Sequence, residues 1–296
     1  MSPAAPAVVK ALITGAGGQV GRALLDAVPD AFQAIACAHA ELDIGDGKAV
    51  HDCVARHRPD VIINAAAYTA VDKAESEPDA AQRVNAAGPG HLAAAARECG
   101  ARLIHISTDF VFDGAASAPY RPDSPTHPLS VYGRSKRDGE RAVLETLPER
   151  ATIVRTAWVY AATGANFTRT MLRLMRANGA VRVVADQVGT PTAAGSLAEA
   201  LWRAAADPEI RGIHHWTDAG VASWYDFAVA IAEEGAELDL VPPDVTVTPI
   251  ATADYPTPAR RPSYSVLDKG SLAPHGLVPI HWRKRLRDVL KEIPSA

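Results

Sequence analysis

Three side chains in this chain could together move a proton onto a carbonyl oxygen: Tyr132, Lys136 and Thr108. Tyr132 and Lys136 stand four apart in Val131-Tyr132-Gly133-Arg134-Ser135-Lys136, so on a helix they share one face. An ammonium one turn from a phenol favours the phenolate. The expectation is therefore a Tyr132 pKa below its ordinary value near ~10 and a phenol able to donate close to neutrality. Ahead of them, the apolar run Leu103-Ile104-His105-Ile106 reads as a buried strand that delivers Ser107 and Thr108 to its C-terminal edge. There the Thr108 hydroxyl could hold the oxygen that receives the proton. A Tyr-x-x-x-Lys pair is common by chance on exposed helices. It gains meaning only beside a nucleotide site, so the elements around it decide.

Those elements begin with a strand-like run, Val8 to Ile13, followed directly by Gly15-Ala16-Gly17-Gly18-Gln19-Val20-Gly21 and a helical pattern through Ala23, Leu24, Leu25 and Val28. Strand, glycine turn and helix form the setting of a dinucleotide site. Glycines at 15, 18 and 21 let the backbone approach a pyrophosphate, and the helix N-terminus offers free N–H groups to it. The next strand, Phe32 to Ala36, runs into Cys37-Ala38-His39 with no acid until Glu41, which leaves room for a 2′-phosphate. Asp43-Ile44 lies where an Asp could meet an adenine amino group. Asp46 to His57 reads as a helix and Asp60 to Asn64 as a strand. Ala65-Ala66-Ala67 then has so little bulk that a flat ligand can come close. Pro78 to Cys99 reads as one long helix stopped by Gly100. This alternation predicts an α/β fold, a Rossmann-type doubly wound parallel sheet whose ligand crevice lies at the C-terminal strand ends. The glycine turn, the alanines and Ser107-Thr108 all fall at such ends.

Further along, Thr152 to Arg155 reads as a strand, Asn166 to Ala177 and Ser196 to Ala206 as helices, and Asp186 to Thr192 as a polar loop. Ile213 to Trp216 reads as a short strand, on which His214 and His215 point to opposite faces, so no metal site is expected. Ser223 caps a helix carrying Trp224, Phe227 and Ile231. Val241 to Pro262 reads as a loop in which Arg260-Arg261 is either a diphosphate ligand or a solvated pair. A basic helix spans Trp282 to Ile293. The domains expected are an NAD(P)-binding domain over 1–158 and a smaller, mainly substrate-binding domain over 159–296, with some interleaving of segments.

Composition excludes several classes. The 296 residues are 48% hydrophobic with a net charge of -4, which argues against bulk electrostatic binding of nucleic acid or an anionic membrane. Cys37, Cys53 and Cys99 include no C-x-x-C pair, so neither disulfides nor zinc is expected and a cytoplasmic location fits. Met1 to Ala7 lacks a basic segment followed by an apolar core, and no apolar run is long enough to span a membrane.

Six segments together resemble the extended short-chain dehydrogenase/reductases, and within them the dTDP-4-dehydrorhamnose reductase family. They are Gly15 to Gly21, Asn64 to Asp72, Ser107 to Phe112, Tyr132 to Lys136, Arg155 to Tyr160 and Asp186 to Thr192, and they span nearly the whole chain. The resemblance implies hydride transfer from NADPH, or NADH, to C4 of dTDP-4-dehydro-L-rhamnose, giving dTDP-L-rhamnose. It implies Tyr132 as proton donor, Lys136 as its partner and a ligand of the nicotinamide ribose, and Thr108 as the third catalytic group. The cofactor contacts implied are Gly15, Gly18, Gln19, Val20, Asp43, Ile44, Ala66, Ala67, Tyr68 and Thr69, with Tyr132 and Lys136. The sugar contacts implied are Thr108, Asp109 and Trp158. Some family members join two subunits through magnesium held by glutamates, one beside the last fingerprint glycine. Here that position is Arg22, so a metal-linked dimer is not expected, and the chain reads as a monomer or weak homodimer. Phe110 stands where the family usually has Tyr. The related dehydratases place an Asp-Glu pair after the Thr, whereas Asp109-Phe110 supplies one carboxylate, which suits ketone reduction better than elimination. Three alternatives stay open: a reductase of another dTDP-4-keto-6-deoxysugar from a natural-product pathway, a nucleotide-sugar epimerase, and a non-catalytic regulatory subunit of the kind that binds methionine adenosyltransferase.

Overall fold

The computed structural model describes residues 8–294, so the reading of 1–7 as carrying no leader lies outside the described residues. Six parallel strands form the central sheet: β1 (Val9–Thr14), β2 (Phe32–Cys37), β3 (Val61–Asn64), β4 (Arg102–Thr108), β5 (Ala151–Thr156) and β6 (Gly212–His215). Their spatial order is β6-β5-β4-β3-β1-β2. The chain moves outward one way from β1 to β2 and the other way from β1 to β3. The crevice between the C-terminal ends of β1 and β3 is thus the topological switch point where such sheets bind ligands.

Both faces of the sheet are covered, which is why its strands are apolar runs without alternation. Alternate residues feed different cores. Leu12, Ile62, Leu103 and Ile153 pack against the helices α2 (Gly47–His57), α3 (Gly88–Cys99) and α4 (Val131–Thr146). Their neighbours Ile13, Ile63, Ile104 and Val154 pack on the opposite side against α1 (Gln19–Asp26) and α6 (Ala194–Ala206). The α6 helix and β6 therefore return to the first lobe after the chain has crossed into the second. The second lobe has its own core. Met171, Leu172 and Met175 of α5 (Phe167–Asn178) pack with Phe227 and Ile231 of α7 (Trp224–Glu237) and with Leu286 and Leu290 of α8 (Trp282–Lys291).

One element departs from the sequence reading, and another carries a feature it did not foresee. Thr246–Ile250, expected as loop, is a strand paired in parallel with Ala180–Val184. It is a two-stranded edge that tolerates Pro249 and leaves much of its surface in solvent, so no buried alternation betrays it. The helix over 78–99 runs unbroken as expected but carries a π-turn at Arg83–Ala87 between Pro78–Gln82 and α3. The turn carries Asn85 inward. Its buried amide accepts from Tyr68 N at 2.8 Å and donates to Tyr68 O at 3.0 Å and Ser135 Oγ at 3.1 Å, pinning the loop after β3 to α4. Such bulges commonly serve functional positions.

Candidate active site

A cleft of about 700 Å³ opens at the C-terminal ends of the strands. Its first wall is backbone and small side chains. Gly15 takes a positive φ of 69°, and a Cβ there would lie 2.5 Å from Ala66 N. A Cβ on Gly21 would come within 2.3 Å of Gly15 O. Glycine is therefore required for the turn to tuck against β3 and for α1 to start beside it. Gly18 caps α1 with no side chain, so the first N–H groups of the helix are left to face the cleft. Gly18, Gln19, Val20, Ala66, Ala67 and Thr69 all line it, and so does Arg22. This cradle, tight at Gly15 and Gly21 and ending in helix N–H groups, fits a dinucleotide pyrophosphate.

Not every expected cofactor residue reaches that wall. Gly15 lies beneath it as turn backbone. Ile44 is buried, and Asp43 is held by Arg83 at 2.7 Å and by Gly45 N at 2.9 Å. The Arg83 guanidinium holds the Asp43 carboxyl below the usual range. Tyr68 turns its hydroxyl to Glu77 at 2.8 Å while Asn85 fixes its backbone.

The opposite wall carries the chemistry. Ser130 caps α4 by accepting from Gly133 N at 3.1 Å, and Gly133 packs so closely that a Cβ would sit 2.2 Å from Phe110 O. The first turn of α4 is thus pressed onto the turn that follows β4. Tyr132, Lys136, Thr108 and Asp109 meet there, all lining the cleft and all buried. Phe110 meets the Tyr132 ring edge-on at 5.5 Å. Thr108 Oγ1 donates to Asp109 Oδ1 at 3.0 Å and accepts from Phe110 N at 3.2 Å. Asp109 Oδ2 has no hydrogen-bond partner within normal geometry among the described residues, and burial pushes the carboxyl up to about 6 against the opposing pull of Ser265 and Thr108.

The expected effect of Lys136 on Tyr132 is overturned. Burial raises the phenol to about 12, with the Thr108 hydroxyl acting the other way. Desolvation outweighs the cation because the cation is turned elsewhere. Lys136 Nζ donates to Ile106 O at 2.6 Å and lies 3.4 Å from His105 Nε2. Burial lowers Lys136 itself to about 8, with Glu140 opposing.

Several buried polar groups behind this wall escaped the sequence reading. Thr14, Asn64 and His105 form a hydrogen-bonded chain across β1, β3 and β4 that ends at Lys136. Arg155 grips Glu140 with two bonds of 2.8 and 2.7 Å, and Ser107 donates to the same carboxylate. A lone Asn or His inside an apolar strand is the signal that could have flagged the first group, since buried polar side chains need partners.

The third side of the cleft comes from the second lobe. Trp158, at a positive φ of 50°, stacks on Trp224 at 3.6 Å and 8°. Gly189 makes room for it, since a Cβ there would lie 2.7 Å from the indole. Arg261 also reaches the cleft, and it pairs with Asp72 at 3.0 and 2.8 Å across the lobes. Arg260 is not among the lining residues. His214 bonds Ser271 at 3.0 Å, and His215 packs beside Phe112 and Arg155, so each has a structural partner.

Comparison with known proteins follows this geometry. The model of the RmlD substrate binding domain matches residues 9–295. A dTDP-4-dehydrorhamnose reductase of Streptomyces griseus is 48% identical over 94% of this chain and 91% of its own length. A probable dTDP-4,6-dihydroxy-2-methyloxan-3-one 4-ketoreductase of Streptomyces antibioticus is 44% identical over 96% of each chain. The solved dTDP-4-dehydrorhamnose reductase of Bacillus anthracis str. Ames in complex with NADP superposes with a TM-score of 0.90 at 34% identity, covering 96% of this chain and 99% of that one. With a family model spanning nearly its whole length and relatives this similar end to end, the chain belongs to the RmlD substrate binding domain family.

Proposed function

We propose that this chain reduces the C4 ketone of dTDP-4-dehydro-L-rhamnose to dTDP-L-rhamnose. The observation that carries the reading is one cleft holding a glycine cradle on one wall and Thr108, Tyr132 and Lys136 on the other. NADPH, or NADH, when bound would supply the hydride. Gly18, Gln19, Val20, Ala66, Ala67 and Thr69 would hold it through backbone and small side chains. Thr108 orients the ketone oxygen, and Tyr132 gives it a proton as negative charge develops. A phenol raised to about 12 stays protonated across the working pH range, as a donor must. Among the described residues Asp109 is the single carboxylate lining the cleft, which favours ketone reduction over an elimination that needs a second acid. Trp158, braced by Trp224, packs against the sugar, and Arg261 faces its diphosphate.

The relative from Streptomyces antibioticus supports a second reading, reduction of another dTDP-4-keto-6-deoxysugar by the same groups. Arg22 on the cleft wall argues against a metal bridge at that position, so the chain is a monomer or weak homodimer. Three free cysteines fit a cytoplasmic location. No described helix is long and apolar enough to cross a membrane. The deciding experiment follows NADPH absorbance with enzymatically generated dTDP-4-dehydro-L-rhamnose and identifies the product. Stoichiometric oxidation to dTDP-L-rhamnose is expected. No oxidation with that sugar, but turnover with another 4-keto-6-deoxysugar, selects the second reading.

A further inference from the structure

The hydrogen-bonded chain behind Lys136 fixes more than position. Asn64 Oδ1 accepts from Ala66 N at 3.1 Å and from Thr14 Oγ1 at 2.6 Å. A backbone N–H can only donate, so this end of the amide is the oxygen, and the NH₂ end faces His105 Nδ1 at 2.9 Å. Nδ1 must therefore accept. His105 is fully buried, and burial holds it well below its ordinary pKa. A neutral imidazole that accepts at Nδ1 carries its proton on Nε2. That N–H points at Lys136 Nζ, 3.4 Å away, at the long end of hydrogen-bond distance.

An ammonium has three donors and no acceptor. It cannot bond an imidazole N–H; only the amine, with its free lone pair, can. We propose that His105 is a positioning residue for Lys136: locked as the Nε2–H tautomer by the Asn64 amide, it donates to the Lys136 amine and parks it against the Ile106 carbonyl. Protonation of Lys136 breaks this contact and turns Nζ toward the cleft. The charged group that acts on Lys136 is Glu140, whose carboxylate is occupied by Arg155 and Ser107; Tyr132 stands one turn back on α4. The depressed pKa of Lys136 agrees with an amine that is readily formed.

This inference deepens the proposed reduction and rests on it for its catalytic meaning. Once Tyr132 has given its proton to the alkoxide, the ammonium N–H bond breaks and a phenol O–H bond forms. The amine lone pair left behind is then filled by His105 Nε2–H. Solvent supplies the next proton, and Lys136 leaves His105 again.

The test is nuclear magnetic resonance of the full chain without cofactor, which needs no activity. Histidine labelled with ¹⁵N reports the tautomer, and His105→Gln assigns the signal by its loss. Lysine labelled with ¹³C at Cε reports the titration of Lys136. The wild type is expected to show His105 protonated at Nε2 only. In His105→Gln the side-chain carbonyl can accept from the ammonium, so the Lys136 midpoint rises by about one unit. Asn64→Asp, nearly isosteric, accepts where the amide donated. It turns His105 to the Nδ1–H tautomer and raises the same midpoint. A wild-type His105 protonated at Nδ1, or a Lys136 midpoint unmoved in folded His105→Gln, overturns the proposal. If neither variant folds, sequential assignment of the wild type identifies the His105 signal and its tautomer alone decides. Should the chain fail to reduce the ketone, these spectra still stand, so the two readings fail separately.

Discussion

The two walls of the cleft are built on opposite principles. The glycine wall, to which we assign the cofactor, is mostly backbone and small side chains, drawn from two contiguous stretches, 15–21 and 65–69, each at the end of its own strand. The substrate side is aromatic, charged and assembled from distant segments: Phe110, Trp158, Trp224 and Arg261. A pyrophosphate needs close approach and free N–H groups, which glycine and a helix end supply locally. A sugar needs shape, which here arises where two lobes meet. At Gly15 and Gly21 the first wall has no room for an added atom, whereas the second is expected to lose one contact and keep its frame.

The sharpest way to break this comparison is to separate chemistry from binding. Tyr132→Phe should lower kcat by roughly 10²- to 10⁴-fold, while NADPH affinity, set by the other wall, stays within about twofold. Stopped-flow reduction and fluorescence titration of the cofactor read the two separately. Retained turnover would remove Tyr132 from the mechanism.

Gly15→Ala attacks the intolerant wall. The new Cβ meets Ala66 N at 2.5 Å in a left-handed backbone conformation. A loss of about 1–3 kcal/mol in urea unfolding is expected, together with NADPH binding weakened at least about tenfold. An alanine variant that binds normally would show that the cradle yields after all.

Asp109 tests what the substrate side costs when empty. Its folded pKa of about 6 lies above the ordinary 3.8, so the folded state holds the proton more tightly than the unfolded one. The contribution is full below 3.8 and is lost as pH rises through about 6. Asp109→Asn should therefore stabilise the cofactor-free chain at about pH 8 by on the order of 2 kcal/mol, with the gain vanishing toward about pH 4. Urea melts at both pH values decide it; a gain that persists unchanged in acid would assign it to something other than ionisation.

Trp224→Ala should have the smallest effect. It removes the stack behind Trp158, worth about 0.5–1.5 kcal/mol, so KM for the dTDP-sugar should rise a few-fold to about tenfold. NADPH affinity and kcat should stay near wild type. A change in cofactor binding instead would mean the second lobe supports both walls.

How much of this was legible follows from the same contrast. The glycine turn, the alanines after β3, the Thr108 edge and the Tyr132–Lys136 spacing are each readable within a few residues, because strand ends and helix faces follow from local periodicity. The parallel sheet followed from the alternation of elements. The Trp158–Trp224 stack, the Arg261–Asp72 pair and Asn85 in its π-turn were not legible. Each joins residues far apart in sequence, and no local pattern states which of many polar or aromatic residues will meet.

The alternation of strands and helices, the crevice at the C-terminal strand ends and the gathering of Thr108, Tyr132 and Lys136 there were written in the chain itself, since these rest on periodicity and sterics. Only the tertiary structure decided the electrostatics. Burial, not the nearby cation, sets Tyr132 high and Asp109 partly protonated, because the cost of desolvation depends on what surrounds a group in space. The direction in which Lys136 points was likewise decided by His105 and Ile106 on β4, three decades of residues away, and not by its spacing from Tyr132 on the helix.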